Sequence, residues 1–325
     1  MPGMTVFLRI GTIAALLALS AAAVVAETYP NRPIKLIVPY AAGGANDIIA
    51  RLIQPGLEHA LGQPVVVDNR PAASGIVGTD AVAKAQPDGH TLGLAFTTLT
   101  VNSAINAKLP YDLEKDIAPI VLVGKNPLLV IVNKDVPAKT FAEFLALARA
   151  NPGKFNYATP GATSQAHLLT ALLDTLAGVE MQHVPYKGGA PAVLGTVAGE
   201  TQMTMMSPLA SLPQIQAGNL RPLAVTSLER DKNFPDLPSV AESGFPGFEG
   251  VAWSGLFTTA GTPKEIIDRL NAEVNRILRD PQIAAKLEEQ GMTPAGGTPA
   301  EFGAFILREI KRWSEAAKAA KIKTE

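Results

Sequence analysis

Residues 34–61 read IKLIVPYAAGGANDIIARLIQPGLEHAL, and this stretch predicts the basic unit of the fold. Ile34–Pro39 is a short apolar run of the kind found in buried strands, whereas Asp47–Leu61 repeats apolar side chains at helical spacing. A loop of small residues, including Gly43 and Gly44, separates the two. A strand, a small-residue loop and a helix in this order are typical of an α/β protein.

The same alternation of β-rich runs and amphipathic helical stretches continues along the chain. Such alternation predicts parallel sheets joined by crossover helices. Gly124–Pro127 is expected to interrupt the pattern, and the charged run at 112–116 is expected to form a solvated turn. Further strands are predicted at 64–68, 90–96, 120–123, 128–133 and 156–159, and further helices at 76–85, 141–150, 164–176, 263–279 and 299–321.

The strand–loop–helix unit occurs once in each half of the chain. The loop AAGGAND follows Tyr40, and the loop PGATSQ follows Thr159. Each is followed by a second loop–helix pair, at 69–85 and at 184–200. Two such halves predict two α/β lobes with a ligand cleft between them, at the carboxyl ends of the strands. Lobe one is predicted to comprise 27–127 and 254–325 and lobe two 128–253, with crossing strands near 124–131 and 250–258.

The N-terminal segment is typical of an export signal. Residues 1–26 contain one charged side chain, Arg9, which is followed by the apolar run Ile10–Val25 and the small residue Ala26. This pattern predicts a signal peptide cleaved after Ala26, with an uncleaved membrane anchor as the alternative. The mature protein is therefore expected to be soluble outside the cytoplasm.

Composition argues against several classes of function. The chain has no cysteine, which removes thiolate nucleophiles, cysteine-based zinc sites and iron–sulfur ligation. Once Arg9 is removed with the signal peptide, 27 of the 28 basic side chains remain against 29 acidic ones. This balance argues against nucleic acid as a partner. An apolar content of 47% can supply the core that an exported protein without disulfides needs.

No motif in the chain predicts catalysis or metal binding. The four histidines (His59, His90, His167 and His183) are scattered, and none has a spacing to a carboxylate that suits zinc. The sequence contains no GxSxG, GxxxxGK or GxGxxG motif. We therefore predict a binding protein with no cofactor, no metal and no catalytic residue.

Several loops lead into predicted helices through glycine or hydroxyl residues, and these can form an anion site. The first N–H groups of a helix lack intrahelical partners, and the helix dipole favours negative charge there. A glycine also allows a ligand oxygen to approach the backbone closely. The candidate pairs are Gly43-Gly44, Ser74-Gly75 and Thr163-Ser164.

Ordinary helix capping is the alternative explanation for the same residues. Asn46 or Asp47 is suited to begin one helix, and Ser164 another. His167 lies one turn inside its helix, where it is either a structural histidine or a residue facing the cleft. These alternatives stay open at the level of the sequence.

Six segments of the chain carry a resemblance to a known family. They are VPYAAGGANDIIAR (38–51), VVVDNRPAASGIVGTDAVAKAQPDGHTL (65–92), YATPGATSQAHLL (157–169), HVPYKGGAPAVLGTVAGE (183–200), LPSVAESGFPG (237–247) and WSGLF (253–257). In this order they resemble the Bug-type solute receptors of tripartite tricarboxylate transporters. The resemblance implies a type II periplasmic-binding-protein fold, a periplasmic location, and a pair of integral membrane partner subunits that drive uptake with protons or sodium ions.

The resemblance also implies where a ligand carboxylate is held. In this family, backbone amides and ordered waters hold one carboxylate, from the loop after the first strand and the matching loop of the second lobe. Carried over, these loops are Tyr40–Asn46 and Pro160–His167. Ser74-Gly75 and Tyr186-Lys187 are expected to contribute.

One departure from the family pattern concerns the other end of the ligand. Gln202 stands in GETQMTMMSP where an aspartate is usual, which indicates a less polar distal end. Thr97, Thr98 and Ser207 are the candidates for contacting that end. The predicted ligand-binding residues are therefore Tyr40, Ala42, Gly43, Gly44, Asn46, Ser74, Gly75, Thr97, Thr98, Thr163, Ser164, His167, Tyr186, Lys187 and Ser207.

Together these patterns predict a monomeric receptor that captures a small organic carboxylate, either a di-, tri- or aromatic carboxylate. Its partners are expected to be the membrane subunits of a tripartite tricarboxylate-type secondary transporter. A ligand-binding sensor subunit for a signalling system and an enzyme on the same scaffold are the alternatives.

Overall fold

The computed structural model describes residues 29–40, 42–43, 45–72, 75–105, 108–162 and 164–319. The predicted signal peptide and three predicted ligand-binding residues (Gly44, Ser74 and Thr163) lie outside the described residues. Among the helices of the described ranges, none has the length and hydropathy needed to span a membrane.

The described chain alternates strands and helices, as the sequence predicts. The strands are β1 (Ile34–Val38), β2 (Val65–Asn69), β3 (Thr91–Phe96), β4 (Ile117–Pro127), β5 (Leu129–Asn133), β6 (Phe155–Thr159), β7 (Met181–Pro185), β8 (Met203–Met206), β9 (Leu220–Val225), β10 (Val251–Thr259) and β11 (Thr293–Gly296). The helices are α1 (Ala45–Leu61), α2 (Ile76–Ala83), α3 (Thr97–Ile105), α4 (Leu113–Asp116), α5 (Phe141–Ala150), α6 (Gln165–Ala177), α7 (Gly189–Val197), α8 (Pro208–Gln216), α9 (Lys264–Arg279), α10 (Pro281–Glu289) and α11 (Pro299–Ala319).

Two mixed sheets organise these elements. The first has the strand order β11-β4-β10-β3-β1-β2 and the second β7-β6-β8-β5-β9. β1 is parallel to β2 and β3, and β6 is parallel to β7 and β8. The fold class of two α/β units is therefore confirmed, whereas the lobe boundaries at 127/128 and 253/254 stay a prediction.

The prediction of parallel sheets is correct for only part of each sheet. β10 runs antiparallel to β3 and β4, and β5 runs antiparallel to β8 and β9. β5 follows β4 directly, without a crossover helix, and β5 and β10, which each enter one sheet from the other, run opposite to its parallel strands. Gly124–Pro127, expected to break the pattern, is the end of β4 and pairs with β10.

The amphipathic pattern of α1 packs it onto the first sheet. Ile49, Ile53 and Leu57 are buried against β1, and α9 covers the same face. Each such side chain contributes about 1.5–3 kcal/mol when it leaves water. The run at 112–116, predicted as a solvated turn, instead forms the single turn of α4, because the Asp112 carboxylate accepts from the N–H of Glu114 (3.0 Å).

A stack of three rings lies behind the β6–α6 loop. Tyr157 and His183 are neighbours in β6 and β7, and the His167 and His183 rings stack with centroids 3.7 Å apart. The Tyr157 hydroxyl is hydrogen-bonded to Nδ1 of His167 (2.9 Å), and Nε2 of His183 to the Thr159 hydroxyl (2.6 Å). Thr159 also donates to the carbonyl of Gly161 (3.0 Å), so the stack is connected to the loop that starts α6.

Acidification is expected to destabilise the fold partly through this stack. Burial, with a smaller contribution from the charge of His167, lowers the pKa of His183 from its ordinary 6.5 to about 4. Between pH 4 and pH 6.5, His183 is protonated in the unfolded chain and neutral in the folded chain. This contribution to stability is complete above pH 6.5 and is lost as the pH falls toward 4. His183→Gln should lose about 1 kcal/mol less stability than the parent between pH 7 and pH 5, after allowance for solvent screening of a half-exposed ring.

Urea unfolding at both pH values measures this difference, with His59→Gln at an exposed position of α1 as the control. Asp174 acts in the opposite direction, because burial raises its pKa to about 7. Only the difference between variant and parent therefore isolates His183. Equal losses of stability in His183→Gln and the parent would contradict the interpretation.

Candidate functional site

A cavity of about 220 Å³ lies between the two sheets, at the carboxyl ends of four strands. β1 reaches it through Tyr40, β3 through Thr97, β6 through Pro160 and β8 through Ser207. In each sheet these strands are the pair at which the strand order reverses, since β1 lies between β2 and β3, and β6 between β7 and β8. Ligands of α/β proteins bind at such switch points.

The first turns of four helices line this cavity. α1 contributes Asn46, α3 Thr98, α6 Gln165 and α8 Leu209. N–H groups in a first turn lack intrahelical partners and lie at the positive end of the helix dipole. None of the described residues lining the cavity carries a formal charge. The arrangement therefore suits an anion that is bound by backbone amides rather than by a cationic side chain.

In α6, some of these amides are already used and others are not. His167 and Leu168 donate their N–H groups to the carbonyl of Ser164, and the Ser164 hydroxyl also accepts from the N–H of His167 (3.3 Å). Gln165 and Ala166 line the cavity, and their N–H groups have no carbonyl one turn earlier within the helix. Ser164 is thus a helix cap, while the next two amides are the α6 groups best placed for a carboxylate.

At the start of α1, a carboxylate of the protein itself, that of Asp47, accepts a hydrogen bond from a backbone N–H just before the helix. Asp47 is 4% exposed, and its Oδ2 accepts from the N–H of Gly43 (2.9 Å) and from Nε of Arg51 (2.9 Å). The hydrogen bond from Arg51 is the largest cause that holds the pKa of Asp47 below its ordinary value. The N–H of Gly43 is therefore engaged in capping, and the glycine is needed for its left-handed backbone, with φ of +77°.

Tyr40 forms a neutral polar wall of the cavity. Its hydroxyl is hydrogen-bonded to Oγ1 of Thr98, and its ring packs edge-on against Phe96 with centroids 5.4 Å apart. Burial raises the pKa of the Tyr40 hydroxyl, which stays protonated. Gly75 lies directly behind it: a Cβ there would sit 3.2 Å from the Tyr40 oxygen, so glycine leaves room for the ring.

Polar residues outside the predicted set also line the cavity, among them Asn126, Gln165, Ser254 and Gln290. Nε2 of Gln165, Oγ of Ser254 and Nε1 of Trp253 are buried and have no hydrogen-bond partner among the described residues. Because buried polar groups are costly unless hydrogen-bonded, these donors are candidates for binding a polar ligand. The sequence carried a signal for all three, since Gln165 ends the PGATSQ loop and both Trp253 and Ser254 lie in WSGLF.

The structure brings six of the predicted residues together and leaves others apart. Those lining the cavity are Tyr40, Asn46, Thr97, Thr98, Ser164 and Ser207. Of the remaining described ones, Ala42, Gly43, Gly75, His167, Tyr186 and Lys187 are not part of the lining. Within the described ranges, no group of three or more histidine, cysteine, aspartate or glutamate side chains is arranged to hold a metal ion.

Sheet order explains why the second loop of each half lies away from the cavity. Gly75 follows β2, and Tyr186 and Lys187 follow β7, and both strands are at the edges of their sheets. The Tyr186 hydroxyl donates instead to Oε2 of Glu200 (2.7 Å), and Lys187 is exposed. Gln202 also lies elsewhere, since its Oε1 accepts from the N–H of Asn156 (2.9 Å) before β8 begins.

Comparison with known proteins agrees with this geometry. The profile of the tripartite tricarboxylate transporter family receptor matches residues 49–322. The protein Rpa4515 of R. palustris, solved with adipate, is 36% identical, with a TM-score of 0.85 over 91% of this chain and 99% of that one. The periplasmic binding protein BugD is 31% identical, with a TM-score of 0.81 over 91% of this chain and 100% of that one.

A further relative is MatC from Rhodopseudomonas palustris, whose structure contains bound malate. It is 32% identical, with a TM-score of 0.79 over 89% of this chain and 99% of that one. The resemblance predicted from the six segments is confirmed, as is the periplasmic-binding-protein fold. The chain belongs to the receptor family of the tripartite tricarboxylate transporters, the family of the Bug-type periplasmic binding proteins.

Proposed function

We propose that this protein is a periplasmic solute-binding receptor that captures a small organic carboxylate. The observation that carries the proposal is the meeting of four helix N-termini at one cavity with no charged side chain in its described lining. The proposal includes export by a signal peptide cleaved after Ala26. It also includes a monomeric state and delivery of the ligand to transporter membrane subunits that are driven by protons or sodium ions.

Backbone donors are sufficient for useful affinity. A micromolar dissociation constant corresponds to about 8 kcal/mol. A hydrogen bond to a charged group contributes about 1.5–3 kcal/mol, so about four to six of them suffice after ordering costs. The N–H groups of Gln165 and Ala166 have no acceptor among the described residues, and with the other first-turn groups at the cavity they supply donors of this kind.

Binding without chemistry fits the lining better than catalysis does. Tyr40 is the one titratable group among the described lining residues, and burial keeps its hydroxyl protonated by raising its pKa. His167 and His183, which are partly buried, are engaged with each other and with Tyr157 and Thr159 behind the loop. A nucleophile paired with a base is thus not found among the described residues of the cavity.

Contacts between the two halves of the fold support closure around the ligand. Nζ of Lys232 pairs with Oε1 of Glu288, which joins the segment after β9 to α10. Gly291 packs against Pro208 so closely that a Cβ at Gly291 would lie 2.6 Å from the Cβ of Pro208. A ligand that touches both halves favours this closed arrangement through its higher affinity for it.

Organic acids are expected to raise the melting temperature, while the matching amides are not. A ligand that binds only the folded state stabilises it by about 2.7 kcal/mol at one hundred times its dissociation constant. An amide lacks the charge that the helix N-termini favour. Differential scanning fluorimetry with adipate against adipamide and with benzoate against benzamide measures the effect. Equal stabilisation by acid and amide would contradict the carboxylate proposal.

A carboxylate built into the cavity should exclude the ligand. Ser207 lines the cavity at the N-cap position of α8, where its side chain makes no cap hydrogen bond. Aspartate is well suited to this position, so Ser207→Asp should leave the helix intact. Two like charges about 6 Å apart at an effective dielectric constant of about 20 repel by about 3 kcal/mol, on the order of 100-fold in affinity.

Ser207→Asn is the matched control, because it caps the helix without adding charge. Isothermal titration with the acid that binds the parent best should show the 100-fold loss in Ser207→Asp and a much smaller one in Ser207→Asn. Similar affinities of the two variants would contradict an anionic ligand in this cavity.

A further inference from the structure

The walls of the cavity contain an unusual concentration of methionine. The described chain has five methionines, and three of them (Met205, Met206 and Met292) line this cavity. All three are at least nine-tenths buried. Thioether side chains are polarisable and adaptable, and they make favourable contacts with aromatic rings.

The position of Met292 depends on a glycine. A Cβ on Gly124 would lie 2.6 Å from Cγ of Met292, so only glycine at this point of β4 leaves room for the methionine to reach the cavity. Met206 packs on the first residue of α7, where a Cβ on Gly189 would lie 3.4 Å from its sulfur. Phe96, Leu128 and Ile49 complete an apolar surface on the same cavity.

The helix start nearest Met205 and Met206 offers few backbone amides for a second carboxylate. In the first turn of α8, Pro208 has no N–H, and the N–H of Ala210 donates to the carbonyl of Ser207 (3.2 Å). Leu209 is the one residue between Pro208 and Ala210 with an N–H to offer. The N-terminus of α8 thus lacks the set of amides that α6 offers.

At the start of α3, the two side-chain hydroxyl groups are already hydrogen-bonded. The Thr97 hydroxyl accepts from the N–H of Trp253 (3.0 Å), and the Thr98 hydroxyl is paired with Tyr40. The unpartnered donors on this side are single side-chain groups, Oγ of Ser254 and Nε1 of Trp253, and none of the described lining residues is cationic. A second carboxylate here would therefore be buried beside thioethers without the adjacent backbone amides that α6 offers. Burying a charge in this way is strongly unfavourable.

The amides of α6 suit a carboxylate, whereas the side of the cavity lined by methionine suits an apolar group. We therefore propose that the preferred ligand is an aromatic monocarboxylate, with its carboxylate at the α6 amides and its ring against Met205, Met206 and Met292. This inference rests on the proposed function and names the substrate class for the same cavity. The ring replaces the second polar end found in the ligands of the relatives solved with adipate and malate.

The proposal is tested by isothermal titration of the parent protein with benzoate, adipate and malate at pH 7.5. We expect benzoate to bind at least 10-fold more tightly than either dicarboxylate. If adipate or malate binds as tightly as benzoate or more tightly, the inference is overturned while the proposed function stands. If none of the three acids binds and their amides do, both are overturned.

Variants of the methionine wall give a second test. Met206→Gln changes the shape little but adds an amide, and it should weaken benzoate at least 10-fold and adipate by less. Met206→Leu is the apolar control and should retain benzoate affinity within about 3-fold, since Leu and Met are exchanged with small cost in cores. Equal losses for benzoate and adipate in Met206→Gln would overturn the role of the wall. Should that variant fail to fold, Met292→Gln against Met292→Leu gives the same comparison.

Discussion

A helix cannot satisfy its own first N–H groups, and four helices of this protein begin at one cavity. The order of the strands in both sheets brings these four helix starts together. Each belongs to a strand–helix unit, and the strands that feed them (β1, β3, β6 and β8) stand beside each other in their sheets. The two sheets therefore provide the geometry, and the backbone provides the positive potential.

The cavity is suited to bind a negatively charged ligand although none of its described lining residues is cationic. Asp47, which follows the lining residue Asn46, is neutralised by Arg51 and by the N–H of Gly43. Tyr40 stays neutral because it is buried, and it is held by Thr98 and Phe96. Apolar walls around the amides reduce screening, so each hydrogen bond to a ligand carboxylate is stronger than it would be in water.

Much of the fold was predictable from local patterns. The helix at 141–150 has the predicted bounds, and β1 and α1 agree with the first stretch of the sequence within two residues. The antiparallel strands were not predictable in this way, because a crossing strand such as β5 has the same apolar pattern as a buried parallel strand. α3 was missed because its first residues, Thr97–Val101, favour strands by propensity and follow β3 without a loop.

The candidate site was predictable where it depends on local sequence and not where it depends on sheet order. The loops after β1 and β6 were identified from their small residues before a helix. The contributions of α3 and α8 depend on which strands are neighbours, and this order places the loops after β2 and β7 at the sheet edges. Ser254 reaches the cavity only because β10 returns between β3 and β4, a pairing that distant parts of the chain make.

The central claim is that backbone amides at helix starts hold a ligand carboxylate. Amide-resolved nuclear magnetic resonance during titration with an organic acid tests it most directly. On binding, the N–H resonances of Gln165 and Ala166 are expected to move downfield, because each amide forms a new hydrogen bond to the carboxylate. Saturable binding of the acid with unchanged resonances at Gln165 and Ala166 would contradict the account.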